Sequence, residues 1–122
     1  MKKIRVLTLG VVATALLVWA LPATAQRSAP RATVVKVTAG KPSEFKFTLS
    51  AKSVKHGAVT FQVTNSGALP HDFKIAGKKT KLLSGGQSQN LTVTFAKAGK
   101  YPYLCTVTGH AAAGMKGTLT VT

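Results

Sequence analysis

A chain of 122 residues is one folding domain in size, and its 17 Lys and Arg against two acids, Glu44 and Asp72, set a formal net charge of +15. One cysteine excludes an internal disulfide. So much positive charge attracts acidic proteins, anionic surfaces or nucleic acid, and the rest of the sequence has to choose among them.

Met1 to Arg5 carries Lys2, Lys3 and Arg5. Val6 to Leu21 is an almost unbroken apolar run, and Ala23-Thr24-Ala25 is an A-x-A cleavage site followed by Gln26. Charge, apolar core and small residues in that order make 1–25 a secretory signal peptide. An uncleaved anchor is the other reading. As a helix at about 1.5 Å per residue the run spans roughly 24 Å, short of a hydrocarbon core of about 30 Å, which favours cleavage. There is no twin-arginine pair and no cysteine at the cleavage site, so neither Tat export nor lipidation is expected. The product, 26–122, is then periplasmic or secreted, with no stable membrane insertion once the signal is cut. It keeps 14 basic residues and both acids, a net charge near +12, and is large enough to bury one modest core.

After a short polar tail at 26–31, the pattern over 32–122 has period two. Phe45, Phe47 and Leu49 alternate with Glu44, Lys46 and Thr48. Val59, Phe61 and Val63 repeat the alternation, then Leu91, Val93 and Phe95, then Tyr101, Tyr103 and Cys105, then Leu119 and Val121. Each run predicts a strand with one buried face. A strand ending near Asn65 and a short one at Phe73 to Ile75 flank His71. Turn signals separate the runs: Ala39-Gly40-Lys41-Pro42, Asn65-Ser66-Gly67, Ala76-Gly77, Ser84-Gly85-Gly86 and Ala98-Gly99-Lys100. No long window carries a helical period. Seven or eight short strands predict an all-β, two-sheet antiparallel Greek-key sandwich.

The chemistry lies between Cys105 and Gly117, C-T-V-T-G-H-A-A-A-G-M-K-G. A lone thiol in an oxidising compartment is a liability unless something occupies it. Behind it stand His110 and Met115 with C-x4-H-x4-M spacing, in a loop punctuated by Gly109, Gly114 and Gly117. Thiolate, imidazole and thioether select copper or zinc over hard cations. Two His and one Cys in a plane with a weak axial Met make the blue-copper arrangement. A fourth donor must come from elsewhere, and His71 on a neighbouring loop is placed to supply it. His56, beside lysines in Lys52-Ser53-Val54-Lys55-His56-Gly57, reads as a solvated turn residue.

These stretches resemble the cupredoxins, the small type 1 copper proteins. N-x-x-x-x-P-H from Asn65 to His71 is similar to the plastocyanin- and azurin-like first-ligand loop. Y-P-Y-L-C-T-V-T-G-H-A-A-A-G-M-K-G-T-L-T-V is similar to their second loop, with spacing nearest the rusticyanin branch. The resemblance covers about Phe61 to Val121. It implies His71, Cys105 and His110 as equatorial ligands of one copper ion, Met115 as axial ligand, and the Pro70 carbonyl near the open face of the metal. The family commonly has Asn or Ser after the first histidine. Here it is Asp72, whose carboxylate could accept hydrogen bonds from Thr106, tie the two loops and lower the reduction potential.

The resemblance implies an electron carrier rather than an enzyme. Its electrons would pass through His110 and a small apolar docking patch, Ala111, Ala112 and Ala113. Export and the lack of a base-reading helix or aromatic stripe argue against nucleic acid. The expected partner is an acidic redox protein such as a c-type cytochrome, an oxidase or a reductase, met by a monomer and steered by charge. A periplasmic copper carrier or chaperone is the alternative.

Overall fold

The alternating runs become strands because each puts its apolar side chains on one face. In the structure, a computed structural model, the described residues are Gly10, Ala15, 19–26, 28–29 and 31–122. The predicted signal peptide falls mostly outside them, as does part of the tail at 26–31. Among the described residues nine strands form: β1 (Thr33–Ala39), β2 (Phe47–Leu49), β3 (Ser53–Val54), β4 (Gly57–Asn65), β5 (Lys74–Ile75), β6 (Lys78–Lys79), β7 (Ser88–Phe95), β8 (Gly99–Leu104) and β9 (Lys116–Val121). Among the described residues there is no helix, and hence none long and apolar enough to cross a membrane.

The strands make a four-stranded sheet, β2-β1-β4-β7, and a five-stranded sheet, β3-β9-β8-β5-β6. The two-sheet all-β fold is the one expected, but not every pairing is antiparallel. β1 runs parallel to β4, in register from Thr33↔Val59 to Ala39↔Asn65, and β3 runs parallel to β9. Parallel neighbours need a long crossover, and the segment holding β2 and β3 supplies it between β1 and β4. β1 itself lies outside the expected runs. Its inward residues Val35, Val37 and Ala39 are buried, but Val34 beside them is 50% exposed and blurs the alternation.

Val35, Val37, Val59, Phe61, Val63, Val93 and Phe95 face Val54, Ile75, Tyr103, Leu119 and Val121 across the interior. Phe73 joins the sheets: its ring centroid lies 5.3 Å from Phe47, 5.3 Å from Phe61 and 5.5 Å from Tyr103. Burying a side chain of this size is worth about 1.5–3 kcal/mol. Because Phe73 is two residues beyond His71, that burial also anchors the loop carrying the histidine. At the other end of β8, the Tyr101 hydroxyl donates to the Lys97 carbonyl at 2.8 Å. The β8–β9 pairing sets Tyr103 opposite Gly117. The phenol lies over that glycine, and a Cβ there would run into the ring.

One expected strand is shorter than its alternation. Only Phe47–Leu49 pairs; Glu44 and Phe45 sit in a turn closed by the Lys46 N–H on the Ser43 carbonyl at 3.2 Å. Side-chain contacts from Glu44 and Phe45 to two distant loops hold this turn out of the sheet.

Candidate metal centre

The first loop leaves β4 at Asn65 and returns at His71. Asn65 is fully buried, and its carboxamide organises the turn. Nδ2 donates to the carbonyls of Leu69 and Leu83, each at 2.8 Å, and Oδ1 accepts from the Gly67 N–H at 2.9 Å. His71 and Leu83 then exchange backbone hydrogen bonds of 3.0 and 2.8 Å. An asparagine that makes two bonds within its own loop and a third, buried one to the Leu83 carbonyl explains the N-x-x-x-x-P-H spacing physically. It folds the loop back so that the histidine points inward.

The second loop begins where β8 ends. The Cys105 N–H donates to the Met115 carbonyl at 3.1 Å, which closes the loop at its base. Inside it, the His110 N–H donates to Val107, the Met115 N–H to His110 and the Ala113 N–H to Gly109, each at 3.0 Å. Gly114 has φ of 112°, in the region that favours glycine. A Cβ there would also meet Lys46 Nζ at 2.9 Å.

The two loops converge. His71 Nδ1 lies 3.1 Å from His110 Nδ1, and Cys105 Sγ lies 3.9 Å from His71 Nδ1 and 3.6 Å from His110 Nδ1. Ligand atoms of all three residues fall within 4.8 Å of one another. Imidazole nitrogens at about 2.0 Å and a thiolate at about 2.3 Å from one first-row ion must stand roughly 3–4 Å apart. The observed separations meet that requirement, so the residues fit a metal. Met115 is fully buried and packs in one cluster with Cys105 and Ala39. His56 is not part of the set: it is exposed, with Nδ1 3.1 Å from the Thr122 carbonyl oxygen.

Burial pushes the Cys105 thiol above its ordinary value, while backbone N–H groups of Asp72 and Val107 partly offset this. A bound cation stabilises the thiolate that burial disfavours. Asp72 bridges the loops: Oδ1 accepts from the Thr106 N–H at 2.6 Å, and Oδ2 accepts from the Thr106 hydroxyl. Pro70, Ala112 and Ala113 are exposed and Ala111 is half-buried.

Sequence reasoning missed Glu44 and Phe45. Glu44 accepts hydrogen bonds from the N–H groups of Ala68 and Leu69 and from His71 Nε2 at 2.7 Å. Those bonds, the backbone donors foremost, hold its carboxyl at about 2, below the usual carboxylate range. Phe45 meets the His110 ring edge-on at 5.0 Å. The signal available in the sequence was that Glu44 is one of two acids in a strongly basic chain. Leu69, 43% exposed beside Pro70, was also missed.

The Cupredoxin-like domain family matches residues 10–121. Auracyanin-B of Chloroflexus aurantiacus is 47% identical over 53 residues, which make up 43% of this chain. The match spans 23% of that relative's length. In structure, auracyanin B superposes with a TM-score of 0.63 at 24% identity, covering 78% of this chain and 92% of that one, a likeness of fold. Rusticyanin from Thiobacillus ferrooxidans gives 0.56 at 28% identity over 73% and 76%. A laccase from Pediococcus acidilactici gives 0.62 at 16%, covering 78% of this chain but 28% of the enzyme, again a likeness of fold.

Proposed function

The chain belongs to the cupredoxin family, whose members bind one type 1 copper, and from that premise we propose that it is an exported single-electron carrier whose His71, Cys105 and His110 would hold copper, with Met115 as the fourth donor. The observation that supports this most is the convergence of two imidazole Nδ1 atoms and one thiol within 4.8 Å, all buried. Bound there, copper supplies a Cu(II)/Cu(I) couple that takes up and gives back one electron. The chain's own part is to keep the donors still. Asn65 shapes one loop, the Cys105–Met115 bond closes the other and Asp72 ties them together. A donor set fixed in this way suits both oxidation states and has little to rearrange. Met115 and Ala39 keep water from the sulfur.

His110 is the donor nearest to solvent, 9% exposed against 0–1% for the other three. It is therefore the electron's exit, through a small apolar patch made by Ala111, Ala112 and Ala113, with Leu69 and Pro70 on the facing loop. Such a patch suits brief encounters that bury little area. The lysines steer an acidic redox protein, such as a c-type cytochrome, an oxidase or a reductase, toward it. Donors buried this deeply do not favour the copper-carrier alternative, which needs an accessible ion. Nor does the arrangement call for a substrate pocket or a general base, and the reading is of a non-enzyme.

The test is redox cycling of the copper-loaded protein. It should take up one electron equivalent, return it, and keep its copper over repeated cycles. Transfer to an acidic partner should slow steeply as salt rises. Loss of copper on reduction would contradict the carrier role.

A further inference from the structure

In a chain of net charge +15 there are two carboxylates, and both lie against the two loops that supply the donors. Asp72 links loop to loop. Glu44 does something different, because it touches a donor ring. It comes from the turn before β2, distant in sequence from either loop. Oε1 accepts from the Leu69 N–H at 2.9 Å and pairs with His71 Nε2 at 2.7 Å, while Oε2 accepts from the Ala68 N–H at 3.0 Å. The loop leaves room for this contact at Gly67, where a Cβ would stand 2.5 Å from Glu44 Oε1 and 3.1 Å from His71 Nε2. The next residue, Phe45, packs on His110. One dipeptide thus touches both histidines.

A carboxylate that accepts at Nε2 requires the proton to be on Nε2. The lone pair is then on Nδ1, the nitrogen that faces His110 Nδ1 and Cys105 Sγ. Hydrogen bonding to an anion also makes an imidazole a stronger donor, and a negative charge beside the ligand set favours the more highly charged metal ion. We propose that Glu44 is a positioning residue that acts through His71: it selects the metal-binding tautomer, fixes the ring, and stabilises Cu(II) over Cu(I), lowering the reduction potential. This rests on the copper reading above. If Glu44 were only a staple for the Ala68–Leu69 backbone, its loss would loosen the loop without discriminating between oxidation states.

The test compares the full-length, copper-loaded protein with Glu44→Gln, which keeps the size and removes the charge. Cu(II) affinity should fall roughly 10- to 100-fold, and by more than Cu(I) affinity. Each tenfold excess loss for Cu(II) raises the midpoint potential by about 59 mV. In the Cu(I)-loaded variant, the His71 Nε2–H proton resonance should move upfield and exchange faster. Equal weakening of both oxidation states, with an unmoved potential and resonance, would overturn the proposal. Should Glu44→Gln fail to fold, the wild-type protein decides alone. A downfield, exchange-protected Nε2–H on His71, with or without metal, supports the assignment; a proton on Nδ1 in the metal-free protein, or an unprotected Nε2–H, overturns it. A wild-type chain that gives no Cys105-dependent colour with copper would sink the copper reading, and the tautomer would still report on Glu44.

Discussion

Two regions of the interior follow different rules. Around Phe61 and Phe73, fourteen buried residues pack with scarcely a polar atom among them. Around Cys105 the buried apolar cluster has three members, Ala39, Cys105 and Met115. Asn65, His71, Asp72 and His110, four of the five buried polar or charged residues among those described, lie on the two loops that meet there. The first region is redundant: many side chains of suitable size could fill it, and its strands are set by alternation. The second is made of individual pairs, each holding one donor in place. Stability resides chiefly in the first, and the proposed copper chemistry in the second.

The largest expected effect breaks the first region alone. Phe61→Ala should cost about 3–5 kcal/mol of stability, measured by denaturant titration, and leave the colour of the folded fraction unchanged. A colour change on the same scale would mean that the regions are not separable.

Asn65→Ala strikes the boundary between them. It removes the Asn65 partner of the Gly67 N–H and of the Leu69 carbonyl, and one of the two bonds to the buried Leu83 carbonyl, which keeps the His71 N–H; this should cost about 1–3 kcal/mol and weaken copper binding as well. Denaturation combined with competition for Cu(II) separates the two losses. An effect on stability alone would place Asn65 with the core.

Asp72→Asn should change stability less, because the amide can still accept one bond from Thr106. Its readout is the midpoint potential, which should rise when the negative charge is removed. A potential that stays or falls in voltammetry would leave Asp72 as a loop tie and nothing more.

Ala112→Glu should be the mildest in structure, within about 0.5 kcal/mol as expected for an exposed position. It should slow electron transfer to an acidic partner in stopped-flow mixing and leave the absorption spectrum alone. Equal changes in rate and spectrum would remove the patch from the exit route.

The same contrast explains what the sequence made legible. Alternation exposed β4, β7, β8 and β9 because burial on one face leaves a period-two trace. It hid β1, where Val34 faces outward, and it could not register β3 and β6, which have two residues each. Parallel pairing leaves no local trace at all. In the site, Cys105, His110 and Met115 were visible because they share one short loop, and His71 because its asparagine-led turn is a compact pattern. Glu44 was invisible because its bond to His71 joins residues 27 apart in sequence, and because it breaks a strand that alternation alone would continue.

The central claim is that one thiolate and two imidazoles hold a single type 1 copper. Its most direct test is the absorption spectrum after Cu(II) is added to the wild-type protein and to Cys105→Ser, with far-UV circular dichroism showing that both keep their β-sheet. Intense blue or green colour in the wild type, absent from Cys105→Ser, is the predicted result. A colourless wild-type protein, or colour that survives in Cys105→Ser, would contradict it.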